Sequence, residues 1–416
     1  MSFADACRFL FPRQAGRIKW SLGPTQALLD VLGRPERHYP SIHVGGTNGK
    51  GSTCALIAAE LEARGLRVGL YTSPHLVSVC ERVLVNGVPI SEDAFTEWVS
   101  FLQPHIERVD ASFFEAMTVI GFADLAARGV DVAVIEVGLG GRLDATNVIT
   151  PLVSVVTKIA LEHTDYLGSD LKGIAREKAG IAKAGVPFVT GERTPEVREA
   201  LFEEARRRGA APLIAVDTAR PPPPGVRLGL RGRFQWANAW VALEALNRLP
   251  PPFGPAGDRI PESFALAHLP GRFDVRGRWI LDVAHNPDGM EVLVDTLRES
   301  APPRPLHAVV GIRNDKEWRP MLDRLAPEVD RLVLTVAPSV PPERRWIWTD
   351  LASWAERYAG VPRQAAPLEV LFEPDFARAL DLGEEGAATV LVTGSFHTVG
   401  DALARLPGFT PVERAV

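Results

Sequence analysis

The sequence predicts an α/β protein of two domains, a larger one on a mostly parallel, doubly wound sheet and a smaller α/β domain after it. Three observations carry this. Short β-branched runs alternate with longer helical patterns through the first half of the chain. Prolines and glycines interrupt that alternation at "LPPPFGPAGDRIP", residues 249–261, and it restarts after "LPGRFDV". A chain of 416 residues also exceeds the roughly 250–300 residues that one core usually serves. The expected domains are residues 1–270 and 271–416.

In the first domain the predicted strands are "SIHV" (41–44), "LRVGLYT" (66–72), "DVAVIEVG" (131–138) and "LVSVVT" (152–157). "STCALIAAELEARG" reads as a helix opened by Ser52 and closed by Gly65, and "SFFEAMTVIGFADLAARG" as another ending at Gly129. Both are apolar nearly all round, so they should pack on the sheet. "REKAGIAKAG" (176–185) reads as a helix carrying Lys178, which taken alone is a solvated charge. "RPPPPG" (220–225) is a surface excursion. In the second domain "RWILDV", "LHAVVG", "RLVLTV" and "ATVLVTG" read as strands, with "KEWRPMLDRLA" and "ALDLGEEG" as helical patterns.

Composition narrows the function classes. The chain is 46% apolar and 23% charged, with no apolar run near the roughly 18 residues of a membrane span, so no membrane association is expected. The start, "MSFADACRFLFPRQ", lacks the basic and apolar regions of a secretory signal, which places the protein in the cytoplasm. Cys7, Cys54 and Cys80 lie far apart and read as buried free thiols. A net charge of −5 argues against nucleic acid as a partner.

Candidate chemistry gathers at strand ends. "HVGGTNGKGST" (43–53) has the glycines and lysine of a phosphate-binding loop, but position 44 is Val and Gly51 separates Lys50 from Ser52. Strand, glycine turn and helix N-terminus together aim N–H groups and a positive dipole end at an anion, and Lys50 adds a charge. "TSPHL" (72–76) follows a strand and offers Ser73 as a Mg²⁺ ligand. In "EVGLGGRLDATN" (136–147) a buried strand ends at Glu136, where a hard cation facing a phosphate loop is held. "ALEHTDYLG" (160–168) brings Glu162, His163 and Asp165 as candidate ligands or bases. "LDVAHNPDG" (281–289) places Asp282, His285 and Asn286 at a strand end where packing does not call for them. In "TGSFHTVGDAL", Gly394 and Ser395 open a helix, as an anion site or a simple cap.

Taken together, "GTNGKGST", "TSPHL", "FFE", "EVGLGGRLDATN", "EHTDYLG" with "EKAGI", "FQWANA", "LPGRFD", "DVAHNP", "DK" at 315–316 and "TGSF" resemble the folylpolyglutamate synthase family, including its bifunctional dihydrofolate synthase form. The motifs stand in family order from residue 17 to about residue 400. The resemblance implies an ATP-dependent ligase with the Mur-ligase fold, a P-loop ATPase domain followed by a Rossmann-like domain. It implies that Gly46, Thr47, Asn48, Gly49, Lys50, Gly51 and Ser52, with Asn238, Arg272 and Asp282, bind ATP. Ser73, Glu136 and His163 would hold Mg²⁺, two ions in all, and Lys178 would be carbamylated. Ser112, Phe113, Phe114 and Glu115, with Leu143, Asp144 and Ala145, would form the pterin pocket. His285 is placed near the amine step.

The implied substrates are dihydropteroate or a reduced folate, L-glutamate and ATP, used by a monomer. Two positions depart from the family pattern. Glu162 stands where Asp is usual before the metal histidine, and Phe234 where many members have His before the residue matching Gln235. The alternatives are a Mur-type ligase acting on a nucleotide-linked sugar, which "FFE" and "GGRLDATN" disfavour, and a non-ligase nucleotide-binding protein, which leaves Asp282 and His285 unexplained.

Overall fold

The computed structural model describes residues 1–15, 21–161, 166, 168–359 and 368–406. The chain divides into two compact units. The first comprises residues 1–74, 79–229 and 235–268, and the second residues 75–78, 230–234 and 269–416. Two short stretches inside the first unit's sequence range, His75–Ser78 and Leu230–Phe234, therefore belong to the second.

The first unit is built on strands β1 (Ser41–Gly45), β2 (Val68–Tyr71), β3 (Val83–Val85), β4 (Val88–Pro89), β5 (Val132–Glu136), β6 (Val153–Val156), β7 (Phe188–Thr190) and β8 (Leu213–Ala215). Their order is β4-β3-β2-β5-β1-β6-β7-β8. Pairing is parallel from β2 through β8, and β3 and β4 add an antiparallel edge. That edge is a hairpin across Asn86 and Gly87, both at positive φ (47° and 74°), as a two-residue turn between twisted strands requires. The central strands β1 and β5 are buried at every position, as continuous apolar runs covered on both faces must be.

Helices α1 (Phe3–Leu10), α2 (Gly23–Val31), α3 (Lys50–Ala63), α4 (Glu92–Val109) and α5 (Phe113–Ala127) precede β5. As the sequence predicts, α3 and α5 are buried nearly all round. Helix α3 starts two residues earlier than expected, because Gly49 at φ 91° forms its N-cap and Ser52 lies inside the first turn. The expected helix over 176–185 lies earlier in the chain. Helix α6 spans Leu171–Ala179 and stops at Gly180, where a Cβ would come within 2.3 Å of Arg142 Cβ. Helices α7 (Pro195–Arg207) and α8 (Gln235–Asn247) complete the unit, with α7 against α6 and α8 against α3. The proline-rich stretch 249–261 is held by Arg64, whose guanidinium donates to the carbonyls of Phe253 and Pro255.

The second unit carries β9 (Asp274–Arg276), β10 (Trp279–Asp282), β11 (Leu306–Val310), β12 (Arg331–Leu334), β13 (Glu369–Phe372) and β14 (Thr389–Thr393) in the order β13-β12-β11-β14-β10-β9. All pairs are parallel except β10 with β9. Helices α9 (Pro287–Ser300), α10 (Trp318–Leu325), α11 (Trp348–Ala359), α12 (Phe376–Glu384) and α13 (Phe396–Leu403) build two apolar cores. One is centred on Met290, Met321 and Leu391, the other on Leu281, Val392 and Val399. Two cores over a parallel sheet are the doubly wound arrangement. Among the described residues no helix is long and apolar enough to cross a membrane.

Candidate active site

The glycine loop leaves β1 and is tied to the end of its neighbour β6. Thr47 N donates to Lys158 O at 2.8 Å, Ala160 N to Thr47 Oγ1 at 3.1 Å, and the Thr157 hydroxyl to Asn48 O at 2.8 Å. Two glycines are required by space as well as by angle. Gly46 has φ 133° and Gly49 φ 91°. A Cβ at Gly46 would lie 1.9 Å from Thr157 Oγ1, and one at Gly49 would lie 2.3 Å from Asn238 Oδ1. The Asn238 amide is held in turn by Gln235 Oε1 at 2.8 Å. The N-cap of α3, Gly49, makes no side-chain cap bond, so among the described residues the first-turn N–H groups and dipole are available to an anion. Lys50 curls over the loop, its Nζ 3.1 Å from Thr47 O. Ser52, expected as the helix opener, is buried as the third helical residue.

Three residues from elsewhere in the sequence lie at this loop or at the strand ends beside it. Glu136 ends β5, which pairs in parallel with both β1 and β2. Its Oε2 accepts the N–H of Ser73, just past the end of β2, at 3.1 Å. The third is Lys178, on α6, buried with its Nζ donating to Gly46 O at 2.9 Å. It is not the solvated helix charge that the sequence alone suggests. Glu162, His163 and Asp165 lie outside the described residues, and among the described residues no group of three His, Cys, Asp or Glu forms a metal centre. The Glu136 carboxylate and Ser73 hydroxyl still fit a Mg²⁺ ion. They are hard oxygen donors at adjacent strand ends, and Mg²⁺ needs only one or two protein ligands when waters and phosphates supply the rest.

The loop after β5 is compact and internally bonded. Asp144 Oδ2 accepts Leu139 N at 2.8 Å and Oδ1 accepts Thr146 N at 3.0 Å and the Thr146 hydroxyl. Burial raises the Asp144 carboxyl above its ordinary range, against the lowering effect of these bonds. Thr146 Oγ1 is also 2.9 Å from Nε2 of His43, a fully buried residue of β1. Burial and the nearby Lys183 ammonium push that imidazole down to about 3, so it is neutral. A Cβ at Gly141 would meet the Lys178 carbonyl at 2.7 Å, which seats this loop on α6. Leu143 is half-buried and Ala145 buried in the same loop.

At α5, Ser112 and Glu115 form a capping box, with Ser112 N donating to Glu115 Oε2 at 2.7 Å and Glu115 N to Ser112 Oγ at 3.3 Å. Phe113 is in the core under the Arg82 guanidinium, 5.1 Å from its ring centre. Phe114 lies over the loop after β5, where a Cβ at Gly138 would reach its ring at 2.3 Å. Of the four expected pocket residues on this helix, three thus have structural engagements and Phe114 faces the loop.

In the second unit the Asp282 carboxylate accepts Phe273 N at 2.8 Å and Ala284 N at 2.9 Å. Burial raises it, and Arg272 acts in the opposite direction. Asn286 caps α9 by accepting from Gly289 N. His285 donates from Nδ1 to Val283 O at 2.9 Å and lies 5.2 Å from the Phe396 ring, over which Arg272 also sits. Packing therefore does use this trio, contrary to the sequence expectation. Ser395 caps α13, the simpler of its two readings.

Sequence reasoning missed His43, Thr157 and Glu192. The last is buried, and its carboxylate accepts Ile159 N at 2.8 Å, holding the strand end that leads toward residue 162. A polar residue inside an apolar strand, as in "SIHVG", is the signal that was available for His43.

Comparison with known proteins agrees with this geometry. Residues 44–187 match the Mur ligase middle domain and residues 271–396 the Mur ligase, glutamate ligase domain. Folylpolyglutamate synthase of Lacticaseibacillus casei is 36% identical over 76% of this chain and 80% of its own. The dihydrofolate synthase/folylpolyglutamate synthase of Bacillus subtilis is 34% identical over 78% and 83%. Folylpolyglutamate synthase of Mycobacterium tuberculosis, solved with ADP, superposes with TM-score 0.84 at 34% identity, covering 97% of both chains. FolC of Escherichia coli, solved with DHPP and ADP, gives 0.80 at 32% and the same coverage. A loop shaped for phosphates, a strand-end carboxylate and a buried lysine, on two α/β units that match Mur ligase domains, assign the chain to the folylpolyglutamate synthase and dihydrofolate synthase family of ATP-dependent Mur-type ligases.

Proposed function

We propose that this protein adds L-glutamate to reduced folates at the expense of ATP, and that it also joins glutamate to dihydropteroate. The observation that carries the reading is the convergence of Lys50, Lys178, Ser73 and Glu136 on the glycine loop and the strand ends beside it, in a chain whose relatives are named for these two activities. The solved relative that holds both DHPP and ADP supports the second activity.

In this account the N–H groups at the start of α3 and the Lys50 ammonium hold the phosphates of ATP, which positions the γ-phosphoryl and offsets its charge. The substrate carboxylate oxygen bonds to the γ-phosphorus as the bond to ADP breaks, giving an acyl phosphate. The neutral amine of glutamate then attacks the acyl carbon, loses a proton, and expels inorganic phosphate. Ser73 and Glu136, with His163, are the proposed ligands of Mg²⁺, which when bound supplies Lewis-acid neutralisation of phosphoryl charge. A carbamate on Lys178 Nζ replaces a cation with an anion, suited to a position next to that metal. Asn238, Arg272 and Asp282 are proposed nucleotide contacts, and His285 a residue near the amine. Phe114, Leu143, Asp144 and Ala145 are proposed to line the pterin pocket, with Ser112, Phe113 and Glu115 supporting it. We further propose a cytoplasmic monomer with no nucleic-acid or membrane partner.

Steady-state ADP release tests the reading. It is expected only when L-glutamate is present together with tetrahydrofolate or dihydropteroate. Release indifferent to glutamate contradicts it, and release with tetrahydrofolate but not dihydropteroate removes the second activity alone.

A further inference from the structure

His43 is fully buried on the central strand β1, in register with Ile135 on one side and Ser154 on the other. A histidine there costs more than an apolar residue unless its polar atoms are used. Its Nε2 is 2.9 Å from Thr146 Oγ1, while its Nδ1 has no hydrogen-bond partner among the described residues. The Thr146 hydroxyl has one proton, and it goes to Asp144 Oδ1, which also takes Thr146 N at 3.0 Å. Leu139 N, at 2.8 Å, fills the other carboxylate oxygen. The two fixed backbone donors, Leu139 N and Thr146 N, hold this carboxylate as an acceptor, and a buried N–H left unpartnered at Nδ1 would cost more than a bare ring nitrogen, so the Thr146 oxygen accepts from His43 and the imidazole is the Nε2–H tautomer. The proton chain runs one way, from His43 through Thr146 to Asp144.

Both ends of this chain matter. His43 is three residues before Gly46, on the strand that delivers the glycine loop, and Asp144 organises the loop Gly138–Asn147. Lys183 holds the same turn from another side, its Nζ 2.9 Å from Asn147 O. We propose that His43 is a positioning residue for the folate pocket: its Nε2–H, acting through the Thr146 hydroxyl, fixes the Asp144 carboxylate and so the loop that faces Phe114. The ligand named here rests on the proposed function. The positioning does not.

The test compares His43→Gln, whose amide nitrogen reaches about as far as Nε2, with His43→Leu, and Thr146→Ser with Thr146→Val. Loss of the His43–Thr146 hydrogen bond in His43→Leu, and of that bond together with the one to Asp144 in Thr146→Val, is expected to raise KM for tetrahydrofolate by about tenfold or more, with KM for ATP changed less than about twofold. The Gln and Ser variants should stay within about threefold of wild type, and His43→Leu/Thr146→Val should be no worse than the more impaired of the two single variants. Amide hydrogen exchange across residues 138–147, read without substrate, should quicken in the Leu and Val variants and not in Gln or Ser. Equal increases in both KM values, or Gln behaving as Leu, overturn the proposal. A wild-type enzyme that ligates no folate overturns the proposed function instead and leaves the exchange comparison as the deciding result. If His43→Leu does not fold, the Thr146 pair decides.

Discussion

Lys178 sits on a helix where periodicity alone makes it an ordinary surface charge, yet its ammonium is buried against the Gly46 carbonyl. Lys178→Ala is expected to lose most ligase activity without recovery in added bicarbonate, and full activity in that variant contradicts a carbamate there. Lys50→Ala should abolish ligation in the same assay while leaving the fold intact, since its Nζ bonds only within the loop's own turn among the contacts described. His43 gives a pH prediction. Its folded value, about 3, lies below the ordinary 6.5, so the unfolded chain binds the extra proton between those values. Its contribution to stability is therefore complete above the ordinary value and falls as pH drops through that window, by at most about 1.4 kcal/mol per pH unit. Urea unfolding of wild type and His43→Gln at neutral and acid pH checks this. The variant should show the shallower acid loss, and identical slopes would remove His43 as the cause.

The elements were legible where one signal was strong. Every predicted strand in both units has a counterpart, because β-branched runs that are buried on both faces have few other solutions. The start of α3 was misplaced because serine is a common opener, whereas here a left-handed glycine pressed against Asn238 takes that place. The edge hairpin "VLVNGVP" was overlooked although Asn-Gly between apolar runs is a strong turn signal. Gly87→Ala should destabilise by about 1 kcal/mol, since alanine is strained at the positive φ found there. Gly46→Ala is a sharper case. Its Cβ would overlap Thr157 Oγ1, so nucleotide binding, read by calorimetry with ADP, should fall far more than the melting temperature. In α3 itself, Ile57→Ala should cost about 2–5 kcal/mol, because the site is completely buried.

At the scale of the molecule, the alternation of strands and helices made two α/β units readable. The contributions of 75–78 and 230–234 to the second unit were not, because they depend on contacts remote in sequence. The candidate site was legible as motifs but not as a mechanism of support. The ties from Thr157, Glu192 and His43 join residues more than 30 positions apart, and no local pattern announces such pairs. The central claim is that a folate carboxylate is activated by phosphorylation before glutamate attacks. It is tested most directly with tetrahydropteroylglutamate carrying ¹⁸O in its γ-carboxylate, incubated with ATP and L-glutamate. The account predicts one labelled oxygen in the inorganic phosphate released with the first glutamyl residue added, and wholly unlabelled phosphate alongside the singly elongated product would contradict it.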